Sequence, residues 1–170
     1  MCLGLFLHIR PAEGCLLSHK GDCGYLDVME IQVTFDADDP RALADFWQEV
    51  LDYKRDEPPA GFDTWQEFLE DAGVPEEQWD GADALVPKDG NGPRVFFQKV
   101  PESKTAKNRI HLDVRVATHL NGDERMAALE DRAMELIAIG AARLKRFEPD
   151  NFTRGHIVLA DPEGNEFCLD

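Results

Sequence analysis

The residue pair with the clearest chemical potential is His111 and Asp113, which share one side of the alternating segment Arg109–Val116. Every second residue of that segment is apolar, and a period of two predicts a half-buried strand. Side chains two residues apart on a strand stand roughly 7 Å from each other, so the pair would flank a ligand. The pattern therefore predicts a pocket in which His111 acts as a general base or a hydrogen-bond donor. The alternative is a structural histidine whose hydrogen bonds are satisfied within the fold.

The polar connection before this segment concentrates positive charge in a chain that has 18 basic and 34 acidic residues. Lys104 and Lys107 lie in it, and Lys99 and Arg109 flank it. A lysine-rich loop at the rim of a pocket is able to capture an anionic group of a substrate. The same lysines would serve folding instead if they tie the loop to the acidic body of the protein. The sequence leaves both roles open.

Aromatic side chains offer a second kind of ligand contact. Neighbouring residues of a strand point to opposite faces, so one of Phe96 and Phe97 must face the pocket side, where it can stack on a planar ligand. Trp65 and Trp79 lie in the long segment between the second and third predicted strands, a position from which they would roof the pocket. Phe35, Phe46 and Trp47 are assigned to the core.

The elements that position these residues follow one order twice. The first half predicts a strand, an amphipathic helix and three further strands, at Glu30–Asp36, Pro40–Leu51, Asp52–Glu57, Ala82–Val86 and Arg94–Val100. The second half predicts the same series, at Arg109–Val116, Glu124–Ile139, Ala142–Phe147, His156–Ala160 and Asn165–Leu169. A small helix around Trp65–Leu69 is inserted into the first half. The repeat is one of element order, without visible sequence identity between the halves.

Length and charge bound the class of protein. The 170 residues, 43% of them apolar, suffice for one domain or for two small modules that share a core. The net charge of −16 argues against nucleic acid as a partner, because phosphate binding needs a surplus of lysine and arginine. The same charge argues against docking on an anionic membrane, and no run approaches the roughly 20 apolar residues that span a bilayer.

The cysteines and the first residues indicate where the ordered domain begins. Three of the four cysteines precede residue 24, and no paired framework runs through the body of the chain, which favours a reducing, cytoplasmic location. No basic residue precedes the apolar start of the chain, so a signal peptide is not predicted. The spacing Cys15-x3-His19-x3-Cys23 supplies only three metal ligands. We therefore expect residues 1–28 to form a poorly ordered extension and residues 29–170 to form the domain.

Three segments carry a resemblance to a known family. They are VTFDADDPRALADFWQEVLDY (Val33–Tyr53), GPRVFFQKVPESKTAKNRIHLDV (Gly92–Val114) and VLADPEGNEFCLD (Val158–Asp170). The chain resembles the vicinal oxygen chelate superfamily, which includes glyoxalase I, bleomycin-resistance proteins and extradiol dioxygenases, and within it the glyoxalase-like subgroup. The resemblance implies an α+β fold of two βαβββ modules, about residues 30–100 and 109–170, whose curled mixed sheets surround a shared pocket.

The resemblance also implies a set of metal-ligand positions, one on each of four strands. The corresponding residues here are Gln32, Gln98, His111 and Cys168, where the family's enzymes commonly offer histidine or glutamine with two carboxylates. A divalent ion (Zn, Ni, Mn or Fe) would therefore rely on Gln32, His111 and Cys168. Neutral amide oxygens are weak ligands, and no carboxylate occupies an expected position to balance the charge of the ion. The sequence thus departs from the metal-binding pattern.

The expected ligand is a small molecule held in a concave pocket. The resemblance implies a lyase or isomerase that abstracts a proton next to a carbonyl, with His111 as the base. The residues expected to bind the substrate are Gln32, Thr34, Gln98, Asp113, Glu166, Cys168, Lys104 and Lys107. The competing hypothesis is a metal-free protein that binds a drug or metabolite without catalysis, as the bleomycin-resistance branch does. A homodimer is left open.

Overall fold

The structure, a computed structural model, describes residues 30–170. The predicted extension at residues 1–28 lies outside the described residues. The first module consists of β1 (Gln32–Ala37), α1 (Pro40–Leu51), β2 (Tyr53–Arg55), α2 (Trp65–Asp71), a short 3-10 turn (Glu76–Gln78), β3 (Ala82–Pro87) and β4 (Arg94–Lys99). The second consists of β5 (Leu112–Val114), α3 (Gly122–Ala138), β6 (Ala142–Phe147), β7 (His156–Ala160) and β8 (Glu166–Leu169).

The two modules build two four-stranded sheets of the same topology. Their strand orders are β1-β4-β3-β2 and β5-β8-β7-β6. In each sheet the first and last strands of the module pair in parallel, and the other neighbours pair antiparallel. The predicted α+β fold of two βαβββ modules is therefore confirmed. Within residues 30–170, none of the helices combines the length and the apolar composition that crossing a bilayer requires.

Helix α1 begins and ends where local chemistry dictates. The Asp39 carboxylate accepts hydrogen bonds from the backbone N–H groups of Arg41 and Ala42, and Pro40 occupies the first helical position, where its missing N–H costs nothing. The helix ends at Asp52, whose backbone is left-handed with φ 54°. Between these ends, apolar residues at helical spacing form one buried face: Leu43, Ala44, Phe46, Trp47 and Val50.

That buried face packs against both sheets, so α1 belongs to the core of both modules. The Trp47 ring centroid lies 4.9 Å from that of Phe35 in β1 and 5.1 Å from that of Phe167 in β8. The Trp47 indole N–H donates to the buried Asp161 carboxylate at 3.0 Å. Burying an aromatic side chain of this size contributes on the order of 2–3 kcal/mol. The modules therefore share one hydrophobic core, as the length of the chain suggested.

Strand β5 is shorter than the alternation predicted. The sequence predicted a strand over 109–116, whereas the regular strand covers Leu112–Val114. Just before the predicted strand, the backbone N–H of Asn108 donates to the Glu166 carboxylate at 2.8 Å. This part of the chain is therefore held by a side chain and not by backbone hydrogen bonds to a neighbouring strand. His111 consequently precedes the strand and is exposed. At the other end, Val116 still donates to the Asp170 carbonyl at 2.7 Å.

Candidate functional site

A cavity of about 550 Å³ lies beside the first sheet. It is lined by Arg41 and Asp45 of α1 and extends over the face of the sheet that turns away from α1. We call this face the distal face; it carries the alternate residues that do not pack on the helix. Ala82 and Ala84 of β3 and Phe96 of β4 form the floor of the cavity, and Ala84 and Phe96 are partners in the sheet register. Alanine at two successive distal positions leaves space above the sheet, and this space is available for a ligand.

The connection between β2 and β3 roofs this space, and we refer to the result as the roofed cavity. Trp65 and Trp79 line it. The sequence predicted that they roof a pocket, but one formed by residues such as Gln98 and His111, which do not line this cavity. The indole N–H groups of the two tryptophans donate to the backbone carbonyls of Asp56 and Val74, at 3.0 and 2.9 Å. Both indoles are therefore fixed in orientation, and their π faces and edges are what they can offer to a ligand. The matching connection of the second module spans only residues 148–155 and builds no comparable roof.

Two arginines in the wall of the roofed cavity are held by carboxylates. Arg55 forms ion pairs with Asp45 and Asp83. Burial raises the pKa of the Asp83 carboxyl, and the Arg55 charge opposes that rise. Arg94 donates through Nε to Asp56 at 2.8 Å, and its guanidinium carbon lies 5.3 Å from the centroid of the Phe96 ring. The guanidinium groups of Arg55 and Arg94 are therefore both paired with carboxylates.

Of the residues that the sequence predicted, Gln32, Thr34 and Gln98 lie on the same distal face but do not line the roofed cavity. Gln32 accepts a hydrogen bond at Oε1 from Arg94 Nη1, at 2.7 Å. Gln98 donates to the Asp36 carboxylate at 2.6 Å. The amides that the resemblance places at metal positions are therefore engaged with neighbouring side chains.

The other predicted residues gather at the face of the second sheet opposite to the core residues Phe167 and Leu169, which we call the distal face of the second sheet. Glu166 lies at the centre of one group, with Lys104 Nζ at 3.7 Å and Lys107 Nζ at 3.9 Å from its carboxylate. The backbone N–H of Asn108, followed by these two ammonium groups, lowers the pKa of the Glu166 carboxyl, although partial burial opposes the effect. Lys107 Nζ also lies 3.2 Å from His111 Nε2. The lysines therefore contact Glu166, a geometry that fits the folding role that the sequence left open.

Asp113 and Cys168 form a second pair on that face, because they are direct partners in the parallel β5–β8 register. Cys168 is 8% exposed, whereas Asp113 is exposed. Burial, with a smaller contribution from the adjacent Asp113 carboxylate, raises the pKa of the Cys168 thiol to about 11. Cys168 is consequently a protonated thiol at neutral pH.

These residues do not fit a divalent metal ion. Among residues 30–170, no group of three or more histidine, cysteine, aspartate or glutamate side chains is arranged to hold one. The Gln32 oxygen already accepts from a guanidinium, and Cys168 carries a thiol proton that a metal would have to displace. An ammonium group lies within 3.2 Å of His111 Nε2, the nitrogen on which a metal would compete with it.

Sequence reasoning missed the arginines and carboxylates of the roofed cavity. Arg94 was recoverable in part, since a parallel pairing of the first and last strands places it directly beside Gln32. Nothing in the local pattern marked Asp45, Asp56 or Asp83, because each owes its role to an arginine remote in sequence.

Comparisons with known proteins agree with this architecture. A family model described as a glyoxalase-like domain matches residues 32–169. A glyoxalase/bleomycin resistance protein/dioxygenase family enzyme from Burkholderia phytofirmans superposes with a TM-score of 0.55 at 18% identity, covering 81% of this chain and 94% of its own. A protein from Agrobacterium tumefaciens gives 0.54 at 16% identity, with 84% and 95% covered.

A mutant fosfomycin resistance protein from Listeria monocytogenes, complexed with Mn(II) and 1S,2S-dihydroxypropylphosphonic acid, has a TM-score of 0.51 at 10% identity, with 81% of this chain and 85% of its own covered. At these identities the structural matches establish the fold alone. No curated protein sequence matches the chain.

Proposed function

The chain belongs to the glyoxalase-like domain family of the vicinal oxygen chelate superfamily, and from that premise we propose that it binds a small organic molecule in the roofed cavity without a metal ion. The observation that carries the proposal is the cavity of about 550 Å³ between an alanine floor and two fixed tryptophans. Apolar and aromatic walls with a few placed polar groups are typical of small-molecule sites. Of the two functions that the sequence left open, this is the metal-free binder.

The experiment that tests this proposal uses the three tryptophans as reporters. In a ¹H–¹⁵N spectrum of the full chain, a library of planar organic compounds should shift the indole signals of Trp65 and Trp79. The signal of Trp47 should stay in place, because that indole is buried in the core and bonded to Asp161. A library that moves no cavity indole, or only signals of the second sheet, would contradict the proposal.

The substitution Trp79→Ala should lower the affinity for any compound bound in the roofed cavity about tenfold or more, because it removes one aromatic wall. Phe152→Ala is the matched control: this aromatic residue is 98% exposed and lies outside the cavity, so ligand affinity should not change. Adding a chelator should leave the affinity of the wild-type protein unaltered, and a loss of binding on chelation would show that a metal takes part.

A second candidate function is proton transfer by His111, in a lyase or isomerase reaction on the distal face of the second sheet. The contact that favours it is the 3.2 Å approach of Lys107 Nζ to His111 Nε2, which orients an exposed imidazole beside an ammonium group able to hold a carbonyl oxygen. Exchange of solvent deuterium into α-keto acids should then be lost in His111→Ala and retained in His119→Ala, an exposed histidine elsewhere. Equal deuterium exchange in His111→Ala and His119→Ala would show that His111 does not transfer the proton.

A further inference from the structure

The first-strand position at which the family resemblance places a metal ligand is occupied here by Gln32, and its neighbour in the sheet is an arginine. The parallel register of β1 and β4 pairs Gln32 with Arg94, so both side chains rise from the distal face. Arg94 Nη1 donates to Gln32 Oε1 at 2.7 Å. A divalent ion bound to that oxygen would stand next to a permanent positive charge that repels it.

The guanidinium is held in one orientation by three groups. Its Nε donates to Asp56, its Nη1 donates to Gln32, and its plane lies above the Phe96 ring. The Arg94 side chain is 31% exposed and lines the roofed cavity. Within residues 30–170, its Nη2 group donates to no other group, so this NH₂ group is able to donate to a ligand. A planar fork fixed in this way is pre-organised to receive an oxygen acceptor.

We infer that Arg94 takes the electrostatic place that a divalent ion would occupy, and that it receives a neutral hydrogen-bond acceptor, such as an amide or ketone oxygen, on a planar ligand in the roofed cavity. The ligand part of this inference rests on the proposed function. The exclusion of a metal from the Gln32 position stands independently of any ligand.

The charge of the wall argues for a neutral acceptor over an anionic one. Five carboxylates and three arginines line the roofed cavity, and the whole chain carries a net charge of −16. Asp56 already neutralises Arg94. A carboxylate ligand would meet this negative surplus, whereas an amide oxygen would gain the hydrogen bond without the repulsion. The two indoles and Phe96 favour a flat ring system as the body of the ligand.

Three matched probes test the inference: 2-naphthamide, 2-methylnaphthalene and 2-naphthoate, which share one ring system and differ in the attached group. Dissociation constants are measured from the indole shifts of Trp65 and Trp79 in the full chain. The wild-type protein should bind the amide about tenfold more tightly than the methyl compound, the effect of one hydrogen bond to a charged group, and more tightly than the carboxylate. Equal binding of amide and methyl compound, or tighter binding of the carboxylate, would overturn the inference.

Arg94→Gln should abolish the preference for the amide while leaving 2-methylnaphthalene within about twofold of its wild-type affinity. Arg146→Gln is the matched control, since Arg146 is an ion-paired arginine of similar exposure on the second sheet and should keep the preference. The Trp47 indole signal reports whether each variant folds. If Arg94→Gln does not fold, Arg94→Lys replaces it in the test. Lysine keeps the positive charge but cannot hold the three contacts of the guanidinium. The preference of this variant for 2-naphthamide over 2-methylnaphthalene should therefore be smaller than that of the wild-type protein.

The outcomes separate the two proposals. If no probe shifts the cavity indoles, the proposed function fails. If all probes bind and Arg94→Gln weakens them equally, the inference is wrong while the proposed function stands. Added Mn²⁺ should leave the backbone signals of Gln32 and Arg94 in the wild-type protein unbroadened, and selective broadening of those signals would overturn the metal part.

Discussion

At the scale of single residues, neighbours decide what each polar group can do. Cys168 illustrates this. The resemblance places a metal ligand at its position, yet in the structure the Cys168 thiol is buried and lies beside the Asp113 carboxylate. Both favour the neutral thiol, and the pKa rises to about 11. A thiol in that environment is a poor nucleophile and a poor ligand at neutral pH.

We therefore predict that Cys168 resists alkylation. At pH 8, iodoacetamide should label it about 100-fold more slowly than the same cysteine in the denatured chain, since two pKa units reduce the thiolate fraction by that factor. Mass spectrometry of the peptide that contains Cys168 measures the rate. Asp113→Asn should speed labelling only in part, because burial is the larger cause. Labelling as fast in the folded as in the denatured protein would contradict the assignment.

Glu166 shows the opposite shift and gives a prediction about acid stability. Its pKa is lowered, so its contribution to the free energy of unfolding is present above pH 4.5 and is lost as the pH falls through the lower folded value. Glu166→Gln should lower that free energy by about 1 kcal/mol at pH 7, and the difference should shrink towards pH 3. Urea unfolding at several pH values measures it. Glu102→Gln, at an exposed position, is the control, and a pH-independent difference would refute this role.

At the scale of elements, the first module differs from the second by its roof, the connection between β2 and β3. Helix α2 has only seven residues, too few for a stable isolated helix, so it depends on its cap and on packing. Thr64 accepts from the Glu67 backbone N–H at 3.2 Å, and the Glu67 carboxylate accepts in return from the Thr64 N–H at 3.2 Å. This capping box fixes the start of the helix that carries Trp65.

Thr64→Ala should consequently loosen the roof without unfolding the protein. Loss of the cap costs about 1 kcal/mol, which corresponds to roughly fivefold faster amide hydrogen exchange in α2. Exchange in the sheet strands should stay unchanged. Thr118→Ala, at an exposed position outside the roof, serves as control. Equal exchange rates in α2 for both variants would show that the capping box does not stabilise the roof.

At the scale of the whole molecule, the contacts of one buried carboxylate join the two modules. Asp161, in the turn before β8, is 2% exposed and accepts from the Trp47 indole of the first module. It also accepts from the backbone N–H groups of Glu163 and Asn165 at 3.0 and 2.8 Å. Glu163 in turn accepts from the backbone N–H of Asp38 at 2.9 Å, just before α1. The modules are therefore bonded to each other as well as packed.

Asp161→Ala should destabilise the whole domain in one transition. Several buried donors would lose their acceptor, at a cost of about 2–4 kcal/mol in the free energy of unfolding. Thermal and urea unfolding followed by tryptophan fluorescence measure this loss. Asp150→Ala is the control, because Asp150 accepts two backbone hydrogen bonds in an exposed turn and should cost no more than about 1 kcal/mol. Separate unfolding of one module in Asp161→Ala would show that the core is not shared.

The cytoplasmic location and the homodimer stay predictions. Exposed isoleucines precede β1 and β5, one edge strand of each sheet: Ile31 is 76% exposed and Ile110 is 80% exposed. Sedimentation velocity over a range of concentrations would decide the oligomeric state.

The sequence by itself determined the order of elements, the cap of α1 and the family. These features are local: strand alternation, helical spacing and turn residues act over a few positions and are visible in any window of the chain. It also indicated that Trp65, Trp79 and one of Phe96 and Phe97 can face a pocket, because a long connection and strand parity limit which side chains do so. It assigned them to a pocket with Gln98 and His111, which do not line the roofed cavity.

Only the tertiary structure decided which polar groups meet. Arg94 lies 62 residues from Gln32 and 38 from Asp56, and their contacts depend on a strand register and a folded connection that no local pattern encodes. The site that we propose therefore lies at the first sheet, where the connection between β2 and β3 roofs a cavity, and not at His111. The chemistry of this protein therefore follows from side chains brought together by packing, and the sequence shows only that those side chains exist.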